Sequence, residues 1–223
     1  MTSSEPASPF QARLEARAGQ LDAAYRAALE AAALHLRQSG MADHAKGTAD
    51  RAPDFALLDD GNRRVILSEL LRNGPVVLSF FRGEWCSFCR LEIEALLDIL
   101  PELDARRARL VLIAPQRLSE SLLGRSASLE NLHILKDPMN GVGLRYGLVF
   151  RVPDGLRQSL LSVGIDLSHI CATNAWLLPI PATYVIRPDG FIALAHVDPD
   201  FTRRLDPGRI LAALEDVRSR FAR

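Results

Sequence analysis

Apolar positions along the chain change their period several times, and each change marks an element. Over residues 10–39, Leu14, Ala18, Leu21, Tyr25, Ala28 and Ala32 recur in steps of four and three, which lines one face of a helix. Gly40 stands where a left-handed cap would end it. One amphipathic helix cannot bury its stripe against itself, so this arm, residues 1–46, is expected to pack on the rest of the chain or on another subunit. From Gly47 the pattern becomes that of a folded domain, taken as 47–223. "APDFALLDDGNRRVILSELL" reads as two extended runs around a turn at Asp59-Asp60-Gly61-Asn62, with Ser68 capping a short helix.

"GPVVLSFF" (74–81) is a continuous apolar run, the pattern of a central strand buried on both faces. "CRLEIEALLDIL" has helical spacing, and Pro101 is expected to kink or restart that helix. "RLVLIAP" (109–115) and "LHILKD" (132–137) read as further strands, with "SESLLGRSASLE" helical between them and "PMNGVGLRYGL" a short helix or turn. A helix over 153–165 falls in an insertion of about 150–178. "PATYVIRPDGFIALAHVD" (181–198) predicts a hairpin around Pro-Asp-Gly, and a last helix opens with Asp206 as N-cap and Pro207 at its first position. Alternating strands and helices followed by a hairpin imply an α/β fold, with a central mixed sheet flanked by helices and the hairpin antiparallel at one edge.

Charge and composition narrow the function. The 223 residues carry 27 Lys+Arg and 27 Asp+Glu, so no basic excess points to nucleic acid. No run of about 18 apolar residues suggests a membrane span, and the first 20 residues do not read as a secretory signal. Three cysteines cannot form a disulfide scaffold in a chain of this length. A reducing, cytoplasmic setting is the expectation, in which a CxxC pair is catalytic or metal-binding.

That pair, Cys86 and Cys89, lies in "FFRGEWCSFCR", between the predicted central strand and a helix. A thiol at a helix N-terminus meets unpaired N–H groups and a dipole that favour its anion. Arg82 and Arg90 are candidates to add positive charge. Three residues along a helix bring Cys89 to the face of Cys86, so the second thiol can close a disulfide. A zinc site fits poorly, because no second Cys or His pair occurs at ligand spacing and His133, His169 and His196 are scattered. Two buried, inert thiols remain the plain alternative, and Cys171 is read as an incidental buried thiol. Trp85 either shields the pair or simply packs, and Trp176 is expected to pack inside the insertion.

The stretches "APDFALLDDG", "GPVVLSFFRGEWCSFCRLEIEAL", "RLVLIAPQ", "LKDPMNGVGLRYGL", "LPIPATYVIRPDG" and "VDPDFTRRLDP" resemble, in order, the alkyl hydroperoxide reductase / thiol-specific antioxidant family of the thioredoxin-like superfamily. The resemblance is to its peroxiredoxin-like branch with a CxxC and spans roughly residues 47–220. It implies a thioredoxin-like fold, a hydroperoxide substrate, a thioredoxin-like reductant, no cofactor, and a dimer as one option for the arm. Its site would comprise Cys86, Cys89 and Arg82, supported by Trp85, Ile180 and Pro181. The resemblance also implies a cis Ile180–Pro181 bond facing the cysteines, where the sequence alone favours trans. Two departures matter. The motif P-x-x-x-T-x-x-C of well-characterised members puts Arg82 at the proline, Cys86 at the threonine and Cys89 at the reactive cysteine, whereas a thioredoxin reading makes Cys86 the nucleophile. The arginine those members carry after the strand start is replaced by Ala182, so Arg82 is the candidate to supply that charge. Cys86 is the expected nucleophile. A general thiol–disulfide oxidoreductase and a redox-sensing binding module are the competing functions.

Overall fold

Runs of β-branched and aromatic residues without a charge can be satisfied only inside a sheet covered on both sides. In the computed structural model, which describes residues 8–59, 61–116, 129–171 and 174–221, the run Val76–Phe80 (β3) is wholly buried at the centre of a five-stranded sheet. Two shorter strands precede it, β1 (Ala56–Leu58) and β2 (Arg64–Ile66), paired antiparallel. The sheet order is β5-β4-β3-β8-β9, with β4 at Arg109–Ala114, β5 at Leu132–Lys136, β8 at Ala182–Ile186 and β9 at Ile192–Val197. β3 and β5 flank β4 in parallel, while β8 runs antiparallel to β3 and to β9. This is the mixed sheet of a thioredoxin-like fold, with the hairpin at its edge.

Strand alternation divides the core into two layers. Val76, Leu78 and Phe80 face one, with Tyr146 and Tyr184; Val77 and Phe81 face the other, with Cys86, Phe88, Cys89 and Ile93. The second layer is covered by α4 (Ser87–Asp98) and by the last helix, α9 (Pro207–Phe221), where Gly208 N–H donates to Asp206 Oδ1. Pro101 restarts the chain as α5 (Leu100–Ala105). The short helix α3 (Leu67–Leu71) begins one residue before the expected cap, and Asp54 rather than Ser68 supplies the capping oxygen: Ser68 N–H donates to Asp54 Oδ1 at 3.0 Å. α6 (Gly141–Arg145) is capped by Asp137, which accepts from Val142 and Gly143 N–H. The segment that follows holds α7 (Asp154–Ser162) and α8 (Leu167–Ile170) and is closed at its base by strands β6 (Val149–Arg151) and β7 (Leu177–Pro179). Trp176 is buried there under the Arg157 guanidinium. Most of the helix expected over 119–130 lies outside the described residues.

The arm is not one helix. It is α1 (Pro9–Gly19) and α2 (Ala23–Gln38), broken where Asp22 turns its carboxylate onto the N–H groups of Ala24 and Tyr25. The break lets the arm use both core layers: Phe10 and Leu14 enter the layer of Cys86 and Cys89, while Leu29, Ala32 and Leu36 enter the other. A straight helix of 30 residues would run about 45 Å and could not turn the corner. Leu21, at the bend, touches both layers. Gly40 adopts the left-handed conformation expected of it. Among the described residues, no helix is long and apolar enough to cross a membrane.

Candidate active site

At the end of the central strand β3, Phe81 N–H makes a further bond across to Ile113 O. The backbone then turns through Gly83 at φ 142°, packed so closely that a Cβ would overlap Gln116 Oε1 and the Trp85 indole. The turn is closed by Cys86 N–H donating to Gly83 O at 3.2 Å, which leaves Cys86 as the N-cap of α4 and Cys89 in its first turn. Both thiols are reduced and buried, Cys86 3% exposed and Cys89 not at all.

Arg82 folds back under this turn. Its Nη2 donates to Cys86 Sγ at 3.0 Å, and the guanidinium carbon lies 5.1 Å from the Trp85 ring and 4.4 Å from that of Phe201. Arg82 is completely buried, and among the described residues no carboxylate pairs with it. A cation so enclosed needs an anion, and the sulfur it touches can become one. Burial alone would raise the Cys86 pKa. The hydrogen bond from the Cys89 thiol, the charges of Arg82 and Arg204 and the Cys89 amide overcome it and hold Cys86 well below the ordinary thiol range. Cys89 is pushed the other way, by burial, by its hydrogen bond to Cys86 and by the Cys86 charge. The two sulfurs are thus pushed in opposite directions, Cys86 toward the thiolate and Cys89 toward the thiol.

Three neighbours were not singled out in the sequence. Arg204 places Nη2 3.5 Å from Cys89 Sγ and pairs with Glu92 through Nε at 2.6 Å. Glu92 also accepts from Thr183 Oγ1 at 3.0 Å. Tyr25 of α2 is close enough to feel the charges of Arg82, Cys86 and Cys89, and burial raises its phenol pKa against the pull of Arg82. Of these, Glu92 left a trace: an acid three residues after Cys89 on the same helical face, inside an apolar pattern. Nothing local distinguishes Arg204 from its neighbour Arg203.

The sequence-selected residues divide. Cys86, Cys89, Arg82 and Trp85 come together. The β3–β8 register, with Phe80 opposite Ala182, carries Pro181 and Ile180 to the level of Phe81 and Arg82, and both are buried there. The Ile180–Pro181 bond is trans, as is every described peptide bond: Ile180 N–H binds Leu148 O at 2.8 Å and the chain runs on in extended form into β8. Arg90 does not join the site. It is exposed on α4, beside a groove of about 690 Å³ shared with α1 that reaches Ser87, next to Cys86. Cys171 is buried away from any charge, and burial pushes its pKa up to about 11. Among the described residues no cluster of three His, Cys, Asp or Glu side chains is placed to hold a metal ion.

Residues 48–195 match the AhpC/TSA family, and the chain belongs to it. No curated protein sequence matches significantly. Solved structures with this fold include the peroxidoxin BcpB of Mycobacterium tuberculosis, at 22% identity and TM-score 0.57 over 77% of this chain and 98% of that one. A reduced 2-Cys peroxiredoxin of Plasmodium vivax is similar at 16% identity and TM-score 0.55, over 79% and 86%. Peroxiredoxin 6 of Arenicola marina gives 16% and 0.57, over 78% and 74%.

Proposed function

We propose that the protein is a thiol peroxidase in which Cys86 attacks hydrogen peroxide or an organic hydroperoxide and Cys89 resolves the product. The observation that carries this reading is the 3.0 Å contact of Cys86 Sγ with a buried arginine with which no carboxylate pairs among the described residues. The Cys86 thiolate attacks the distal peroxide oxygen; the O–O bond breaks, and Arg82 offsets the charge growing on the departing oxygen, which leaves as water or an alcohol once protonated. Cys86 becomes a sulfenic acid, and Cys89 displaces its hydroxyl to form the disulfide. A thioredoxin-like dithiol then restores both thiols by exchange. The cycle needs no metal or organic cofactor.

A second reading, a general thiol–disulfide oxidoreductase acting on protein disulfides, is favoured by one feature: the charged sulfur is the first of the CxxC pair, at the place where the well-characterised peroxidase motif has threonine. Stopped-flow oxidation separates the two. Wild type and Cys89→Ser are expected to react with peroxide at least about a hundredfold faster than free cysteine, and Cys86→Ser no faster. Slow peroxide oxidation of wild type with rapid exchange against a disulfide peptide would replace the first reading by the second. Fast oxidation that survives in Cys86→Ser and vanishes in Cys89→Ser would reverse the nucleophile.

A further inference from the structure

The resolving thiol faces a chemical difficulty of its own. Cys89 is wholly buried and keeps its proton while the Cys86 thiolate lies beside it, yet closing a disulfide requires that proton to leave inside the protein. Besides Arg82, one side chain brings positive charge to it: Arg204, with Nη2 3.5 Å from Cys89 Sγ. Arg204 is fixed from three sides, by Glu92 at 2.6 Å and by the carbonyls of Phe201 and Arg203 at 2.7 and 2.6 Å. Glu92 is fixed in turn by the Thr183 hydroxyl of β8. Burying a pair of ions completely costs several kcal/mol each in lost hydration, and an apolar pair would fill the same space without that cost. The pair aims a guanidinium at one sulfur.

Building on the thiol cycle above, we propose that Arg204 is a catalytic residue of disulfide closure, stabilising the sulfur anion that Cys89 becomes as it attacks oxidised Cys86, and that Glu92 is the residue that positions it. In that step the Cys89 S–H bond breaks, the S–S bond forms and the S–O bond of the sulfenic acid breaks. The Cys89 proton leaves with the hydroxyl as water; the Cys89 sulfur is oxidised and the Cys86 sulfur reduced. The order of events follows from the charges. While Cys86 is anionic, its charge holds the proton on Cys89. Once Cys86 is oxidised to the neutral sulfenic acid, Arg82 and Arg204 face Cys89 alone, and the second thiol becomes acidic only after the first has reacted. The charged or titratable groups facing Cys89 are Cys86 and Glu92 from α4, Arg82 after β3, Arg204 before α9 and Tyr25 from α2.

The test times the two steps separately in wild type, Arg204→Met, Arg204→Lys and Glu92→Gln. Peroxide oxidation is followed by Trp85 fluorescence, and closure by quenched-flow mass spectrometry that distinguishes sulfenic acid from disulfide. Loss of a charged hydrogen bond to the reacting sulfur predicts closure about 10- to 100-fold slower in Arg204→Met, with oxidation slowed much less. Its closure pH profile shifts upward, Arg204→Lys recovers part of the rate, and Glu92→Gln gives a smaller shift in the same sense. Equal slowing of both steps, or an unmoved closure profile in folded Arg204→Met and Arg204→Lys, would overturn the proposal. Closure is also measured after capping Cys86 with a methylthio group, which Cys89 displaces as methanethiolate. That arm reports on Arg204 even if wild type proves slow toward peroxide, so failure of the peroxidase reading and failure of this proposal give different results.

Discussion

Arg82 touches Cys86 with one nitrogen, while Nε and Nη1 find no hydrogen-bond acceptor among the described residues and lie near the Trp85 and Phe201 rings. Its one hydrogen bond among the described residues goes to that sulfur. Replacing it in Arg82→Met removes the main cation at Cys86, so the thiol returns toward its ordinary value near 8.5 and alkylation by iodoacetamide at neutral pH falls about tenfold or more. In wild type, reactivity at Cys86 persists below the ordinary thiol range and is lost only as pH falls through the lowered value, whereas Cys89 stays protonated above that range. Stability follows with opposite signs. The depressed Cys86 contributes stability that is present above the unfolded thiol pKa and lost as pH falls through its folded value. The raised Cys89 contributes stability that is present below the unfolded pKa and lost as pH rises through its folded value. Urea midpoints measured against pH in wild type, Cys86→Ser and Cys89→Ser check both limbs; a midpoint with no slope on the acid side that Cys86→Ser abolishes would contradict the thiolate. Gly83→Ala tests the turn itself. Its Cβ would strike Gln116 and Trp85, so the expected outcome is a displaced Cys86 and slower alkylation in a protein that still folds.

At the scale of elements, the arm shares the core layer of the thiols. α1 is bound to the site by Phe10 and Leu14 in the layer of Cys86, by the Arg13–Glu94 ion pair at 2.5 Å, by Gln11 Nε2 on Arg204 O at 3.1 Å, and by Ser8 Oγ on Asp206. Leu14→Ala is expected to destabilise by about 2–5 kcal/mol in urea titration and to speed maleimide labelling of Cys86, because the core layer that both residues share loosens. Asp137→Ala, which strips two N–H groups at α6 of their acceptor, is expected to cost about 1–3 kcal/mol without changing that labelling rate. The central strands β3, β4 and β8 were legible because each is a nearly continuous apolar run, and the position of Arg82 because only a few residues separate it from Cys86, whereas the short strands β6 and β7 at the insertion were not read. The break at Asp22 was not, since Leu14 and Leu29 keep helical spacing through it and only the two-layered core shows that they belong to different faces. The trans Ile180–Pro181 bond followed the sequence expectation and not the family's.

In the whole molecule, the site is assembled from four distant stretches of chain: Tyr25 of α2, the turn after β3 continuing into α4, the start of β8 and the 198–206 loop. Arg204 and Cys89 are 115 positions apart, and no local pattern can announce such a pairing. The Glu92–Arg204 contact exists only because α4 and α9 lie on the same sheet face, a fact of topology that hydrophobic period does not encode. Packing against Phe201 links the two arginines further: the ring that covers Arg82 sits three residues before Arg204 and stacks on Phe150 at 5.5 Å. Phe201→Ala is thus expected to lower Cys86 alkylation and disulfide closure together, a joint loss that neither arginine variant alone should produce in equal measure.

The bend at Leu21, where the arm crosses from one core layer to the other, has a kinetic consequence. On the proposed cycle a donor dithiol must reach Cys86 Sγ, which is buried in the core layer that Phe10 and Leu14 of α1 help to fill. The rate of re-reduction should therefore climb with donor concentration and then level off, at a ceiling set by how often that layer opens. Dithiothreitol and a protein dithiol would meet the same ceiling, and Leu14→Ala would raise it for both.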